Sequence, residues 1–155
     1  MKLALLPLSQ NPLQVYCDNT TQLIDILDFI LNDIGGNAHV VVTTYSTSEE
    51  FLRRLFMLRQ KGLVKYAILL ADLKAAYKTL KLNALIKNCF DEIYLNQNHS
   101  KLILVANGHF FVSVCTSQNQ TRGNRLESGV ISTDKSMYDS FYKCVANLFP
   151  KSVKL

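Results

Sequence analysis

Residues 99–127 read HSKLILVANGHFFVSVCTSQNQTRGNRLE, and this stretch decides the fold. Ser100 to Val105 reads as a strand. Side chains two apart on a strand share a face, so His99 and Lys101 project together. Asn107-Gly108 is a strong hairpin signal. The return strand runs from about Phe110 to Cys115 and delivers Thr116, Ser117, Gln118 and Asn119. Ser117 and Asn119 are again two apart. Glu127 follows shortly before another apolar run, Gly129 to Ile131.

These side chains make a phosphate site. Imidazole serves as nucleophile or general acid. Lys101 supplies a compact positive charge. The Ser117 hydroxyl and the Asn119 amide are neutral donors for phosphoryl oxygens. Glu127 is placed to hold the imidazole in one tautomer, as the third member of a triad does. Arg122 and Arg125, in the polar loop between Asn119 and Glu127, are candidates for phosphates beyond the scissile one. His109 and His39 have no such companions and are read as structural.

Upstream, strands alternate with helices. Residues 2–6 and 13–17 read as extended, around a Pro7/Pro12 loop. Thr20 or Thr21 caps a helix to about Ile34 with apolar residues at helical spacing, and Gly35-Gly36 ends it. Ala38 to Thr43 is a buried strand. Thr47 with Glu50 forms a capping box for a helix to about Gln60. Tyr45 and Ser46, in the loop between, are site-rim candidates. Lys65 to Leu70 is a second buried strand. A helix from about Leu73 to Cys89 carries Lys74, Lys78 and Lys81 on one face. Asp91 to Leu95 is a short strand, and 96–98 turns into His99. Gly129 to Ser132 is the last strand. Asp134 caps a C-terminal helix with Met137, Phe141, Cys144, Val145 and Leu148 inward, and the KSVKL tail lies outside it. The pattern predicts one α/β domain over 1–155: a mixed sheet with helices on both faces, the 91–95, 99–105 and 110–115 strands adding antiparallel pairing.

Composition fits. The chain has 155 residues, 48% hydrophobic and 19% charged, which argues for a globular fold. Residues 1–50 hold one lysine against six acids, a balance of −5, and residues 51–155 hold sixteen basic residues against six acids, a balance of +10. The half with the phosphate motif is thus the basic half, which suits a polyanion. No apolar run is long enough to span a bilayer. MKLALLPLSQ, with one Lys and an apolar stretch broken by Pro7, is a poor secretory signal. The expected location is the cytoplasm. Cys17, Cys89, Cys115 and Cys144 show no metal spacing and are expected as buried free thiols.

The motif resembles that of the phospholipase D superfamily: His-x-Lys, four residues, Asp, then Gly-Ser-x-Asn or a close variant. His99 and Lys101 match the first half, and Ser117 and Asn119 the second. Thr121 and Glu127 sit where many members have Thr and an acid. Two positions depart. The family Asp falls at Ala106, whose parity is opposite to His99 and Lys101, so its loss touches support of the site more than chemistry. Asn107 next door partly substitutes. The family Gly is Thr116, counted here with the substrate-binding residues, where a β-branched side chain crowds a phosphate. The spacing between the halves is a few residues longer than usual.

The resemblance implies a phosphodiesterase with two histidines at one phosphorus, one attacking and one protonating the leaving oxygen, with no metal and no cofactor. This chain has one His-x-Lys set, so catalysis implies a homodimer with a two-fold axis beside His99. A small basic chain without an amphipathic membrane helix points to nucleic acid rather than lipid, hence a nuclease. The alternative is a catalytically degenerate module that binds nucleic acid or phosphate. A third reading is a structural subunit with a relic motif.

Overall fold

The computed structural model describes residues 4–121 and 123–155; Arg122, one of the substrate-binding candidates, lies outside the described residues, as do residues 2–3 of the first extended segment. In chain order the elements are β1 (Leu13–Asp18), α1 (Leu23–Asp33), β2 (Ala38–Thr44), α2 (Glu49–Gln60) and β3 (Val64–Asp72). A 3-10 turn (Leu73–Ala75), α3 (Ala76–Lys81), α4 (Asn83–Cys89) and β4 (Glu92–Asn96) follow. Then come β5 (Leu102–Ala106), β6 (Phe111–Thr116), β7 (Glu127–Ser132), α5 (Lys135–Ala146), a second 3-10 turn (Phe149–Lys151) and β8 (Val153–Lys154).

The apolar spacing builds these elements directly. Ile26, Leu27, Ile30 and Leu31 of α1 are fully buried, as the one-face pattern requires. The strands form one sheet in the order β1-β7-β6-β5-β2-β3-β4-β8. β2, β3 and β4 run parallel, and the other pairs are antiparallel. The sheet is therefore mixed, as the sequence predicts. Its larger core packs under α1, α2 and α4 around Val40, Val42, Leu69 and Ile103. The smaller core, with Val41, Leu70 and Leu104, is closed by Tyr138 and Val145 of α5. Helices thus cover both faces.

Several local expectations change. β4 does not adjoin β5: β3 and β2 lie between them, because the parallel pairing of β3 with β4 uses the edge that the sequence left open. The tail is not outside the fold, since Val153 and Lys154 pair with Leu95 and Tyr94 as an edge strand. The 73–89 segment is broken at Leu82, which leaves helical geometry at φ −101 and ψ 14. Below the break, Ile86 and Cys89 are fully buried, while Lys74, Lys78 and Lys81 above it are exposed. Ser48, not Thr47, caps α2 through the Phe51 N–H. Before α1 the turn is held instead by Asp18, which accepts from the Thr20 and Thr21 N–H groups and the Thr21 hydroxyl. Asp134 caps α5, accepting from the N–H groups of Ser136 and Met137. All four cysteines are free, but only Cys89 is buried; Cys17, Cys115 and Cys144 are exposed because β1, the end of β6 and the outer side of α5 are uncovered there. Among the described residues no helix is long and apolar enough to cross a membrane.

Candidate phosphate site

The register gathers the motif at one edge of the sheet. Asp18 at the end of β1 faces Glu127 at the start of β7, and Thr116 at the end of β6 faces Gly129. Leu102 at the start of β5 faces Cys115 and Thr43. Thr44, Ala71, Asp72 and Asn96 close the parallel strands at the same edge. This is the carboxyl edge of β2, β3 and β4, where α/β folds collect their sites.

Because β4 and β5 are separated by two strands, the segment from Gln97 to Lys101 crosses that edge. Buried Asn98 anchors it. The Asn98 N–H donates to Asp72 Oδ2 at 2.8 Å, and Asn98 Nδ2 donates to the carbonyls of Thr44 (3.1 Å) and Ser100 (3.2 Å). Asn98 Oδ1 accepts from the Ser100 hydroxyl at 2.6 Å, which also meets the Thr43 hydroxyl at 2.9 Å. With its neighbours on both sides fixed, His99 projects into solvent; the Tyr45 ring stands 6.3 Å from the imidazole, centroid to centroid. Lys101 Nζ donates to the His99 carbonyl at 3.1 Å and lies 3.5 Å from His99 Nδ1. An ammonium can only donate, so Nδ1 is the acceptor side of this contact.

The second arm is tied down more heavily. The Thr116 N–H donates to the Lys101 carbonyl at 3.1 Å, which joins the two arms through the backbone. The Thr116 hydroxyl does not crowd the site. It lies 2.5 Å from the Tyr16 hydroxyl and also meets the Ser128 carbonyl and the Gln118 N–H, each at 3.1 Å. Tyr16 also donates to Gln118 Oε1 at 2.9 Å, and Gln118 Nε2 donates to the Thr21 carbonyl at 2.6 Å. Burial pushes the Tyr16 phenol up to about 12, so it remains a neutral donor. A Cβ on Gly129 would fall within the Tyr16 ring's van der Waals envelope, so that glycine makes room for the tyrosine. The Ser117 hydroxyl donates to Glu127 Oε2 and accepts from the Ser128 N–H at 3.0 Å. Asn119 Oδ1 accepts from the Tyr45 N–H at 3.3 Å, which turns the amide's NH₂ toward other partners. A cavity of about 200 Å³ opens beside Asn119, between the starts of α1 and α2.

Tyr45 therefore touches both arms, by its ring near His99 and by its N–H at Asn119. Among the described residues the hydrogen-bond partner of Glu127 is Ser117 and not the imidazole. Arg125 is exposed in the loop before β7. Ala106, at the family's Asp position, sits at the other end of β5 and packs against the α5-side core. At the strand rise it is roughly 17 Å from Lys101. Sequence reasoning missed Asn98, Tyr16 and Gln118; glycine inside the β7 strand was the one local signal of a close approach. Among the described residues, no three His, Cys, Asp or Glu side chains cluster to hold a metal ion.

The fold is of the phospholipase D type. Nuc, a phospholipase D family member from Salmonella typhimurium, superposes with a TM-score of 0.68 at 15% identity, over 92% of this chain and 98% of that one. NucT from Helicobacter pylori gives a TM-score of 0.66 at 13% identity, over 92% and 99%. Polyphosphate kinase from Porphyromonas gingivalis gives 0.67 at 15% identity, over 96% of this chain but 29% of that one. By sequence, no family model and no curated protein matches.

Proposed function

We propose that this chain is a phosphodiesterase of the phospholipase D type, that it acts on nucleic acid, and that it works as a homodimer through a phosphohistidine. One observation carries the reading: Lys101, two residues after His99 and just before β5, accepts through its carbonyl from the Thr116 N–H at the end of β6, so both motif halves meet at one end of the sheet. In the first step an imidazole nitrogen bonds to phosphorus, the P–O bond to the leaving nucleotide breaks, and a second imidazole protonates that oxygen. In the second step water attacks phosphorus, gives its proton to the second imidazole, and the P–N bond breaks. The imidazole that protonates the leaving oxygen enters as imidazolium and leaves neutral, and the attacking one enters as the neutral ring; His99 of this copy takes the donor role. The attacking role falls to His99 of a second copy. Lys101, Asn119 and Ser117 stabilise the charge on the equatorial oxygens.

The test uses the full chain with single- and double-stranded DNA and RNA oligonucleotides in EDTA. Cleavage that survives EDTA and is lost in His99→Ala supports the reading. Cleavage unchanged in that variant would sink it. Sedimentation at micromolar concentration should show a dimer. A second reading rests on one observation, the engagement of Glu127 by Ser117 rather than by the imidazole. It makes the site a binding module, recognised by salt-sensitive oligonucleotide binding without turnover.

A further inference from the structure

A second cavity, about 520 Å³, lies at the opposite edge of the sheet and under α5. It falls within the range of small-molecule sites, about 300–1,000 Å³. It is separated from the phosphate motif by the length of β5 and by the sheet itself, since its floor includes Ala106, Val41 and Ile68 on the α5 side. Two aromatic pairs from different elements line it. His39 and Tyr66, from β2 and β3, have centroids 5.8 Å apart. Tyr138 and Tyr142, both from α5, lie 6.1 Å apart with rings only 6° from parallel.

The polar groups are unevenly used. Glu92 is fully engaged, accepting from Tyr66 at 2.6 Å and from Tyr94, with Lys154 at 3.2 Å. Its charge is therefore compensated. Lys65, exposed at the mouth, has no acidic partner among the described residues. Tyr138 is only 7% exposed, and its hydroxyl has no hydrogen-bond partner among the described residues. Its oxygen is not sealed from solvent, so it stands open to a polar atom of a bound molecule.

We propose that this cleft is a second ligand site, and that it takes a planar nitrogen heterocycle carrying a phosphate, of the class of nucleoside monophosphates. The ring stacks against the tyrosines of α5 and over the apolar floor. The Tyr138 hydroxyl bonds a ring nitrogen or carbonyl, and Lys65 meets the phosphate. An aromatic side chain of a peptide would satisfy the rings but leave Tyr138 and Lys65 unused, and inorganic phosphate would use Lys65 alone. At the sequence level the family's Asp position is apolar here, and the fold turns that position into cavity floor.

The experiment titrates the full chain with adenosine monophosphate, followed by calorimetry and by the methyl resonances of Val41, Ile68 and Ala106. Saturation with shifts of those methyls is expected, with inorganic phosphate and adenosine each binding more weakly. Tyr142→Ala should weaken binding roughly tenfold, the scale of one aromatic stack. Tyr142 is 39% exposed, so melting should show that variant folded. Lys65→Gln should cost the nucleotide a few-fold and leave adenosine unchanged. His99→Ala and Lys101→Ala should change nothing. The proposal is overturned if there is no saturation at millimolar concentration, if phosphate binds as well as the nucleotide, if a phenylalanine peptide binds better, or if binding is lost in His99→Ala but kept in Tyr142→Ala.

Discussion

The two edges of the sheet are held by different means. At the carboxyl edge the structure is a web of short hydrogen bonds among loops: Asn98 across the strand ends, Tyr16 to Thr116 and Gln118, Ser48 to the Gln120 carbonyl. At the far edge it is rings and one carboxylate: Tyr66, Tyr94 and Lys154 on Glu92, with Phe149 stacked 4.5 Å from Tyr94. The web fixes backbone and leaves His99 reaching outward, which suits chemistry on a large substrate. The ring assembly leaves a cavity, which suits a small one. The contrast also sorts the two departures from the motif. Thr116 lies within the web and is absorbed by it. Ala106 lies at the other edge, at the far end of β5 from Lys101.

The sharpest break of this comparison is His99→Ala. Losing a positioned imidazole should lower cleavage by roughly 10²–10⁴-fold or more, while the melting temperature stays unchanged because the ring is exposed. Oligonucleotide cleavage and thermal melting on the same samples check both halves; a fall in stability would make His99 part of the web. Lys101→Ala comes next, at roughly 10²–10³-fold in rate, the cost of one preorganised charge-stabilising donor. Equal rates in wild type and variant would remove Lys101 from the site.

How far the sequence foretells this division depends on range. The hairpin at Asn107-Gly108, the β2 and β3 strands and the Asp134 cap are local signals, and all appear where periodicity and turn chemistry place them. The crossing from β4 over β3 and β2 to β5 is not local. Nothing in residues 91–105 says which strands stand between two neighbours in the chain, so Asn98 reads as a turn residue rather than an anchor. Tyr16 is hidden for the same reason: its partners Thr116 and Gln118 are about a hundred residues away. The β8 strand is too short, at two residues, to carry a period. The motif residues could be picked out because their order is informative, whereas their supports could not.

Tyr16→Phe sharpens the claim that the web holds the Ser117–Asn119 arm. Removing the hydroxyl leaves half-buried Thr116 and Gln118 one partner short, about 0.5–1.5 kcal/mol. At roughly 2–4 °C per kcal/mol for a chain of this size, melting should fall by a few degrees. Cleavage should fall with it, and addition of the same loss in a Tyr16→Phe/Thr116→Ala double variant would show that the two hydroxyls do not act as a pair.

The smallest expected effect lies at the far edge and is a matter of pH. The Tyr66 and Tyr94 hydroxyls, with Lys154, bring the Glu92 carboxyl down from 4.5 to about 2. A carboxyl whose folded value is depressed adds stability above its unfolded value, and that stability is lost as pH falls through the folded one. Melting temperature should therefore decline from about pH 4.5 down to about pH 2. In Tyr66→Phe the largest of these hydrogen bonds is gone, the Glu92 value rises, and the acid decline from this group becomes shallower; above pH 5 the variant should already lack that part of the stability. Asp18, at the other edge, is also held below its usual value, by Thr21 and Thr20, and Tyr66→Phe leaves it untouched. Some acid decline should therefore persist in the variant, and a Thr21→Val change should remove a separate share of it. If Tyr66→Phe and wild type show parallel curves between pH 2 and 5, the ring assembly does not hold Glu92 ionised, and the far edge rests on packing alone.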